Sequence, residues 1–273
     1  MNIARALAES GFAFPVRVLA PDTAAGYAAR LVRFLDRHSA DPDFKNWTYV
    51  KAHLALGWVA QLARETAILD AAEAALGPDL VLWDSFIPAK PPRSAGYFGW
   101  HQDGTYWSVG PLDEIVTLWV ALGAVNEANG AMKMIPGSHL RGQLDHEKTF
   151  DKESLLRRGQ RVRDALDESA AVAVRLAPGE ASLHRAFTVH GSGPNPSDDW
   201  RLGVSLVYVS GRVGAKAGHA ESGVRMRGET LAGGLDAETP ATDDLGDSER
   251  AEYRRVTQRS ATRYADAPKR GGG

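Results

Sequence analysis

The chain has 273 residues, of which 44% are hydrophobic and 24% charged, so it is long and apolar enough to bury an ordinary globular core. Its 32 lysines and arginines nearly balance its 34 acidic residues, and a formal charge of −2 favours neither nucleic acid nor a membrane surface as a partner. The absence of cysteine excludes disulfides, thiolate metal sites and a cysteine nucleophile. Any metal must therefore be held by histidine, aspartate or glutamate.

The first residues mix acidic and basic side chains and carry no long apolar run, so we expect no signal peptide. Apolar runs elsewhere are shorter than the ~20 residues that a membrane-spanning helix requires. The expectation is a cytoplasmic protein without a membrane partner.

The N-terminal part of the chain is predicted to be mostly helical. Its predicted elements are a helix over 1–10, a strand over 11–19, a helix from Pro21 with Asp22 as its N-cap, a loop-rich stretch over 39–57 and a helix over 59–76. Gly77 and Pro78 are a typical helix stop.

From residue 80 the pattern changes to short β-branched and aromatic runs between turn signals. The predicted strands cover residues 80–87, 115–122, 131–135, 171–176, 181–187 and 202–209. Residues 140–169 are polar and are expected to form a partly helical insertion, and an arginine-rich helix is predicted over 248–265. Helices followed by a run of strands favour an antiparallel double-sheet β core with helices outside.

The whole chain, 1–273, is expected to be a single domain. It would comprise N-terminal helices (1–77), a β core (about 80–210) and a polar C-terminal extension (211–273).

The stretch over residues 99–107 places His101 and Asp103 two positions apart. If the backbone is extended there, side chains at i and i+2 point to the same face. An imidazole nitrogen and a carboxylate oxygen are two thirds of the facial triad that holds non-heme Fe(II). A His-x-Asp pair is common by chance, so the interpretation depends on a third ligand.

Among the eight histidines, His190 is the best candidate for that ligand, because it precedes a Gly/Pro-rich turn where a side chain can face a cavity. His184 lies inside the preceding strand, where packing in the core or behind the ligands is expected. Ser192 lies two positions after His190, and Arg201 lies eleven positions after it. Arginine offers a planar fork that binds a carboxylate through two hydrogen bonds.

Four separated motifs resemble the phytanoyl-CoA dioxygenase family of Fe(II)/2-oxoglutarate oxygenases. They are the stretch at 99–107, the segment Asn-Gly-Ala-Met-Lys-Met-Ile-Pro-Gly-Ser-His at 129–139, the segment Leu-Ala-Pro-Gly-Glu at 176–180 and the stretch at 190–201. Gly11-Phe12 and Lys90 also match. The motifs occur in the family's order, over roughly residues 8–210.

The resemblance implies a mainly β fold with flanking helices, built on a double-stranded β-helix (jelly-roll, cupin-like) core. It implies Fe(II) held by His101, Asp103 and His190, with 2-oxoglutarate and O2 as cosubstrates. The far carboxylate of 2-oxoglutarate would then pair with Arg201 and Ser192.

Motif position also suggests Gln102 and Trp119 as residues of the cosubstrate pocket. Trp119 has a second interpretation as a core aromatic in a buried strand. His139, at the end of the segment 129–139, is interpreted as part of a structural turn and not as a ligand.

The expected activity is hydroxylation of a small-molecule C–H bond with release of succinate and CO2. Asp103 argues against halogenation, because halogenating relatives need a small residue at that position. Desaturation, epimerisation or ring formation by the same iron site in natural-product biosynthesis is an alternative. A non-catalytic metal-binding protein that binds a small molecule is a second alternative, from another class.

Candidate substrate residues are Tyr106 and Trp107 beside the iron motif, and His146. Together with three arginines of the C-terminal part, His146 suggests a polar or anionic small molecule as the substrate. These arginines are Arg212, Arg225 and Arg227. The oligomeric state is not predicted.

Overall fold

The computed structural model describes residues 1–149, 151–156, 160–229 and 234–265; the side chains of Tyr106 and of residues 260–265 are outside the description. The helices are α1 (Ile3–Glu9), α2 (Pro21–His38), α3 (Phe44–Tyr49), α4 (Ala52–Ala55), α5 (Gly57–Leu62), α6 (Thr66–Leu76) and α7 (Asp247–Ala265).

The strands run through the rest of the described chain. They are β1 (Phe12–Arg17), β2 (Leu80–Phe86), β3 (Phe98–His101), β4 (Val109–Gly110), β5 (Ile115–Ala121), β6 (Met132–Met134), β7 (His146–Lys148), β8 (Gln160–Val162), β9 (Val172–Ala173), β10 (Glu180–Arg185), β11 (His190–Ser192), β12 (Gly203–Ser210), β13 (Gly214–Ala215), β14 (Ser222–Arg227) and β15 (Asp236–Ala237).

A seven-stranded sheet with the order β1-β10-β5-β12-β2-β14-β15 forms the larger layer, and all its pairs are antiparallel except β14–β15. Its two faces differ because successive side chains of a strand alternate. On β5, Leu118 and Val120 belong to the core that the helices cover, whereas Thr117 and Trp119 line a cavity on the other face.

A four-stranded sheet with the order β3-β11-β6-β9 forms the second layer. Its strands carry residues of the same cavity, among them Phe98, Met132 and His190. Two antiparallel sheets with helices on the outer side of the larger one confirm the predicted fold class.

The N-terminal helices cover the larger sheet because each presents an apolar stripe. In α2, Tyr27, Leu31 and Phe34 are buried at helical spacing, and Pro21 occupies the first turn, where its missing N–H costs nothing. Leu31 of α2 and Ile68 of α6 belong to one core cluster with Leu118 and Leu206 of the larger sheet.

Four local expectations are wrong. Asp22 lies in the first turn of α2 and the cap is Ala20. The stretch 39–57 contains α3 and α4, and the helix predicted over 59–76 is two helices, α5 and α6, separated by a turn at 63–65. In the described part of 140–169, expected to be partly helical, helical structure is limited to 3-10 turns at 138–141 and 168–170. Between them β7 and β8 form a hairpin, since the two segments satisfy each other's backbone groups.

The larger sheet also takes strands from both sides of residues 80–210. β1 pairs with β10, and β14 pairs with β2. In the part of the chain that the structure describes, no helix has both the length and the apolar character that crossing a membrane requires.

Candidate active site

His101 and His190 are direct cross-strand partners on β3 and β11, and their ring centroids are 4.2 Å apart. The Nδ1 atom of His101 lies 2.7 Å from the carbonyl of Gly99, and that of His190 lies 2.9 Å from the carbonyl of Thr188. Because a carbonyl oxygen can only accept, each Nδ1 must carry the proton and donate it, which leaves each Nε2 unprotonated with a free lone pair. This is the tautomer that a metal ligand needs.

Asp103 begins a 3-10 turn directly after β3, and its carboxylate reaches both imidazoles. Its Oδ1 lies 3.5 Å from Nε2 of His101 and 3.6 Å from Nε2 of His190. One ligand atom from each of the three residues lies within 4.8 Å of the others. The structure therefore brings together the three side chains that the sequence predicts as metal ligands.

The second oxygen of Asp103 is held from the larger sheet. Thr117 Oγ1 donates to Oδ2 at 3.0 Å, and His184 Nε2 lies 3.2 Å from the same atom. Thr117 and His184 are themselves register partners on β5 and β10. His184 packs behind the ligands, as predicted, but Thr117 was missed because a threonine in an apolar strand resembles any other strand residue.

Electrostatics favour an ionised Asp103. Burial alone would raise the pKa of its carboxyl, but the neighbouring imidazoles of His190, His101 and His184 outweigh it and hold the pKa well below its usual range. Burial, with the neighbouring His101, lowers the pKa of His190 well below its ordinary value. An anionic oxygen thus faces two imidazole nitrogens, the donor set that suits a divalent cation.

A second group of polar side chains meets at the Ser192 hydroxyl, at another part of the cavity wall. Arg201 is buried and donates from Nη1 to Ser192 Oγ at 3.1 Å. Lys90 is fully buried, and its Nζ donates to the same hydroxyl at 2.7 Å and to the carbonyl of Gly193. Because the Ser192 hydroxyl accepts two hydrogen bonds, its own proton is available to a ligand.

The environment of these two cations favours an anion. Nε of Arg201 is buried without a hydrogen-bond partner in the described structure, while its other nitrogens donate to Ser192 and to the carbonyls of Gly130 and Pro88. Burial lowers the pKa of Arg201 to about 10. Burial and the Arg201 charge lower the pKa of Lys90 to about 6. A carboxylate would offset both costs.

The remaining predicted cosubstrate residues differ in placement. Trp119 is buried, lines the cavity and has the Arg201 guanidinium carbon 5.6 Å from its ring centroid. Gly203 makes room for this indole, because a Cβ there would lie 2.1 Å from the ring. Gln102 is fully buried, and its amide bonds the backbone of Gly142, Leu144 and Phe187, so it braces the loop behind the metal ligands.

His146 and His139 lie outside the cavity lining. His146 accepts from the N–H of Gln102 at 3.2 Å, and its Nδ1 lies 2.9 Å from the carbonyl of Leu144. His139 lies beside the end of α1, with Nε2 3.2 Å from the carbonyl of Ala8.

The cavity has a volume of about 930 Å³. Trp107 lines it, packed edge-on against Trp83 at 5.3 Å between ring centroids, whereas the Tyr106 side chain lies outside the described residues. The three arginines behind the anionic-substrate prediction are not among the lining residues. Arg212 pairs with Glu114, Arg227 pairs with Asp70 and Glu73, and Arg225 donates to the carbonyl of Glu229.

Comparison with known proteins gives consistent matches. A probable alpha-ketoglutarate-dependent hypophosphite dioxygenase of Stutzerimonas stutzeri is 35% identical over 161 residues, which are 58% of this chain and 55% of that protein. An ectoine dioxygenase of Streptomyces anulatus is 27% identical over 221 residues, covering 73% of this chain and 74% of that protein. The chain thus spans little more than half the length of the first of these relatives.

Among solved structures, the apo form of the non-heme monooxygenase ThoJ superposes with a TM-score of 0.86 at 30% identity, over 96% of this chain and 97% of that one. The sequence profile of the phytanoyl-CoA dioxygenase (PhyH) family matches residues 7–203. The profile match covers well over half of the chain and includes both sets of polar residues described above, up to Arg201. This chain therefore belongs to the phytanoyl-CoA dioxygenase family.

Proposed function

We propose that this protein is an Fe(II)/2-oxoglutarate-dependent oxygenase that hydroxylates a C–H bond of a small molecule. Its cofactor is Fe(II), and its cosubstrates are 2-oxoglutarate and O2. In the overall reaction, substrate, O2 and 2-oxoglutarate give hydroxylated product, succinate and CO2. The observation that carries the proposal is the convergence of His101, Asp103 and His190 within 4.8 Å.

The residues present fit an iron centre. Two imidazole Nε2 atoms and one carboxylate oxygen are the donor set of the facial triad, which leaves coordination positions open. Hydrogen bonds from both Nδ1 atoms to backbone carbonyls orient the imidazoles. When bound, the iron together with 2-oxoglutarate supplies the oxidising power that the protein's own side chains lack.

The protein's residues contribute position and charge. Thr117 and His184 occupy Oδ2 of Asp103, so the carboxylate presents Oδ1 toward the two histidines. The partnerless Nε of Arg201 and the free proton of Ser192 suit the far carboxylate of 2-oxoglutarate. Lys90 donates to the Ser192 hydroxyl and so orients it beside the guanidinium. Trp119 packs against the guanidinium.

The test is a substrate screen read by succinate formation in the presence of Fe(II), ascorbate and 2-oxoglutarate, with product analysis by mass spectrometry. Asp103→Ala removes one of the proposed ligands. Loss of a hydrogen bond to a metal ligand costs roughly 10- to 100-fold in activity, and loss of the ligand itself should reduce turnover by more than that. Asp36→Ala, at an exposed position of α2, is the matched control. Wild-type turnover by Asp103→Ala would contradict the assigned ligands.

A further inference from the structure

Asp84 is a carboxylate of the cavity wall that the iron and 2-oxoglutarate sites do not use. It lines the cavity from β2. Register pairs place it in one row with the residues that hold Asp103: His184 pairs with Thr117, Thr117 with Val207, and Val207 with Asp84. Two inter-strand spacings of ~4.8 Å put the backbone of Asp84 roughly 10 Å from that of Thr117, within the span of a small molecule.

One oxygen of Asp84 is fixed by the backbone. Oδ1 accepts the N–H of Lys51 and the N–H of Ser85, both at 2.7 Å. Within the described residues, no side chain donates to Oδ2 and no cation forms an ion pair with the carboxylate. The group is thus rigidly held, with one oxygen left for a ligand.

The ammonium group of Lys51, whose backbone N–H binds Asp84, interacts with other partners. Its Nζ forms an ion pair with Glu238 at 2.7 Å and donates to the carbonyls of Ser222, at 3.0 Å, and Trp83. Three acceptors use all three protons of the ammonium group. Lys51 and Glu238 balance each other, so the Asp84 charge has no counterion of its own. In keeping with this, burial raises the pKa of Asp84 despite the lowering effect of Lys51.

Part of the cavity lining is aromatic. Tyr49, Phe86 and Trp107 line the same cavity, and each is half-buried. Aromatic faces attract cations, most strongly quaternary ammonium and similar groups that are poorly solvated. The cations of the cavity lie elsewhere: Arg201 belongs to the 2-oxoglutarate end, and Lys148 is exposed.

We propose that Asp84 determines substrate specificity by pairing with a cationic group of the substrate, an alkylammonium or a related nitrogen cation, among the aromatic side chains of this cavity. The inference deepens the proposed function and rests on it, since it takes the cavity beside the metal ligands as the substrate site. It replaces the expectation of an anionic substrate, whose supporting arginines lie outside the cavity.

The test compares two isosteric probes, choline and 3,3-dimethylbutan-1-ol, which differ in charge but hardly in shape. Binding to the full-length protein with 2-oxoglutarate is measured by saturation-transfer NMR, a readout that requires no turnover. Wild-type protein should bind choline at least tenfold more tightly than the neutral alcohol. In Asp84→Asn this preference should disappear, while the amide oxygen still accepts from the N–H groups of Lys51 and Ser85 and preserves the local backbone.

Asp151→Asn is the matched control, because Asp151 also lines the cavity but is exposed and accepts from Tyr97. It should leave choline binding unchanged, and melting temperatures verify that all variants are folded. Equal binding of both probes by the wild type, no binding of choline, or an unchanged preference in Asp84→Asn would each overturn the inference. Failure of the proposed function is read separately, as absence of Fe(II)-dependent succinate formation.

Discussion

At the scale of single residues, the two oxygens of Asp103 have different partners. Oδ1 faces the imidazoles, and Oδ2 is occupied by Thr117 and His184. A carboxylate held in this way has one oxygen left for a metal, so it would act as a monodentate ligand. Such outer hydrogen bonds orient ligands and are worth roughly 10- to 100-fold in metal affinity.

Arg201→Lys keeps the positive charge at the predicted carboxylate-binding position but loses the planar fork. We expect the KM for 2-oxoglutarate to rise roughly 10- to 100-fold, since one charge-assisted hydrogen bond is worth ~1.5–3 kcal/mol. Steady-state kinetics with varied 2-oxoglutarate measures this. Arg175→Lys, at an exposed arginine paired with Glu127, is the control. An unchanged KM would mean that another residue holds the far carboxylate.

At the scale of secondary-structure elements, a buried ion cluster joins the C-terminal part of the chain to the N-terminal helical region. Glu238, directly after β15, pairs with Lys51 at 2.7 Å and with His53 of α4 at 2.9 Å. It also accepts from Ser222 of β14 at 2.6 Å. Breaking a buried pair by removing one partner leaves an uncompensated charge, which costs about 3–5 kcal/mol.

Glu238→Gln should therefore lower the free energy of unfolding by about 3–5 kcal/mol at pH 7. Burial raises the pKa of Glu238, but Lys51 and His53 outweigh it and lower the pKa to about 2. A carboxyl whose pKa is lower in the folded than in the unfolded protein contributes its full stabilisation when the pH is above its unfolded-state pKa, which is ~4.3 for glutamate. The stabilisation is lost as the pH falls from there toward 2.

Urea denaturation across this pH range measures the effect. The difference between wild type and Glu238→Gln should shrink steadily with acidification. Glu147→Gln breaks an exposed pair with Arg161 and should cost no more than ~1 kcal/mol at any pH. A constant difference between wild type and Glu238→Gln would show that the carboxylate is not the group responsible.

At the scale of the whole molecule, the predicted metal ligands connect the two sheets. His101 and His190 come from the smaller sheet, and Asp103 is hydrogen-bonded to Thr117 and His184 of the larger one. A metal ion bound by all three residues would therefore stabilise the packing of the layers against each other. The interpretation of residues 1–273 as one domain stays a prediction.

Binding of Mn(II), a redox-stable substitute for Fe(II), should thus raise the melting temperature. At a metal concentration 100-fold above Kd the gain is ~2.7 kcal/mol, or about 5–10 °C for a protein of this size. Calorimetry without O2 measures it. Asp103→Ala should abolish the shift and Asp36→Ala should keep it. A shift that persists in Asp103→Ala would place the bound metal elsewhere.

Much of this site could be predicted from the sequence, because it depends on local spacing. His101 and Asp103 are two residues apart, and so are His190 and Ser192, so each pair is governed by the geometry of one short segment. Arg201 and Ser192 were identified by motif. The strands of the larger sheet were also predictable, since runs such as 115–121 are almost wholly apolar.

Residues that meet only through strand pairing could not be predicted. Thr117 and Asp84 each belong to a strand whose sequence resembles an ordinary core strand. Their placement on the cavity side follows from a register that no local pattern reveals. The hairpin in 140–169 was missed for a related reason, because its polar residues form strands only through mutual pairing. Tertiary context outweighs weak local preference in such segments.

The row that contains Thr117 and Asp84 has one more consequence. If the substrate's charge is bound at Asp84 and oxidation occurs beside Asp103, the sheet fixes the distance between the two points. That distance is a multiple of the strand spacing of ~4.8 Å, which a side-chain substitution does not alter. The number of bonds between the cation and the oxidised carbon is then set by the backbone, and lengthening a substrate would move oxidation along its chain instead of abolishing it.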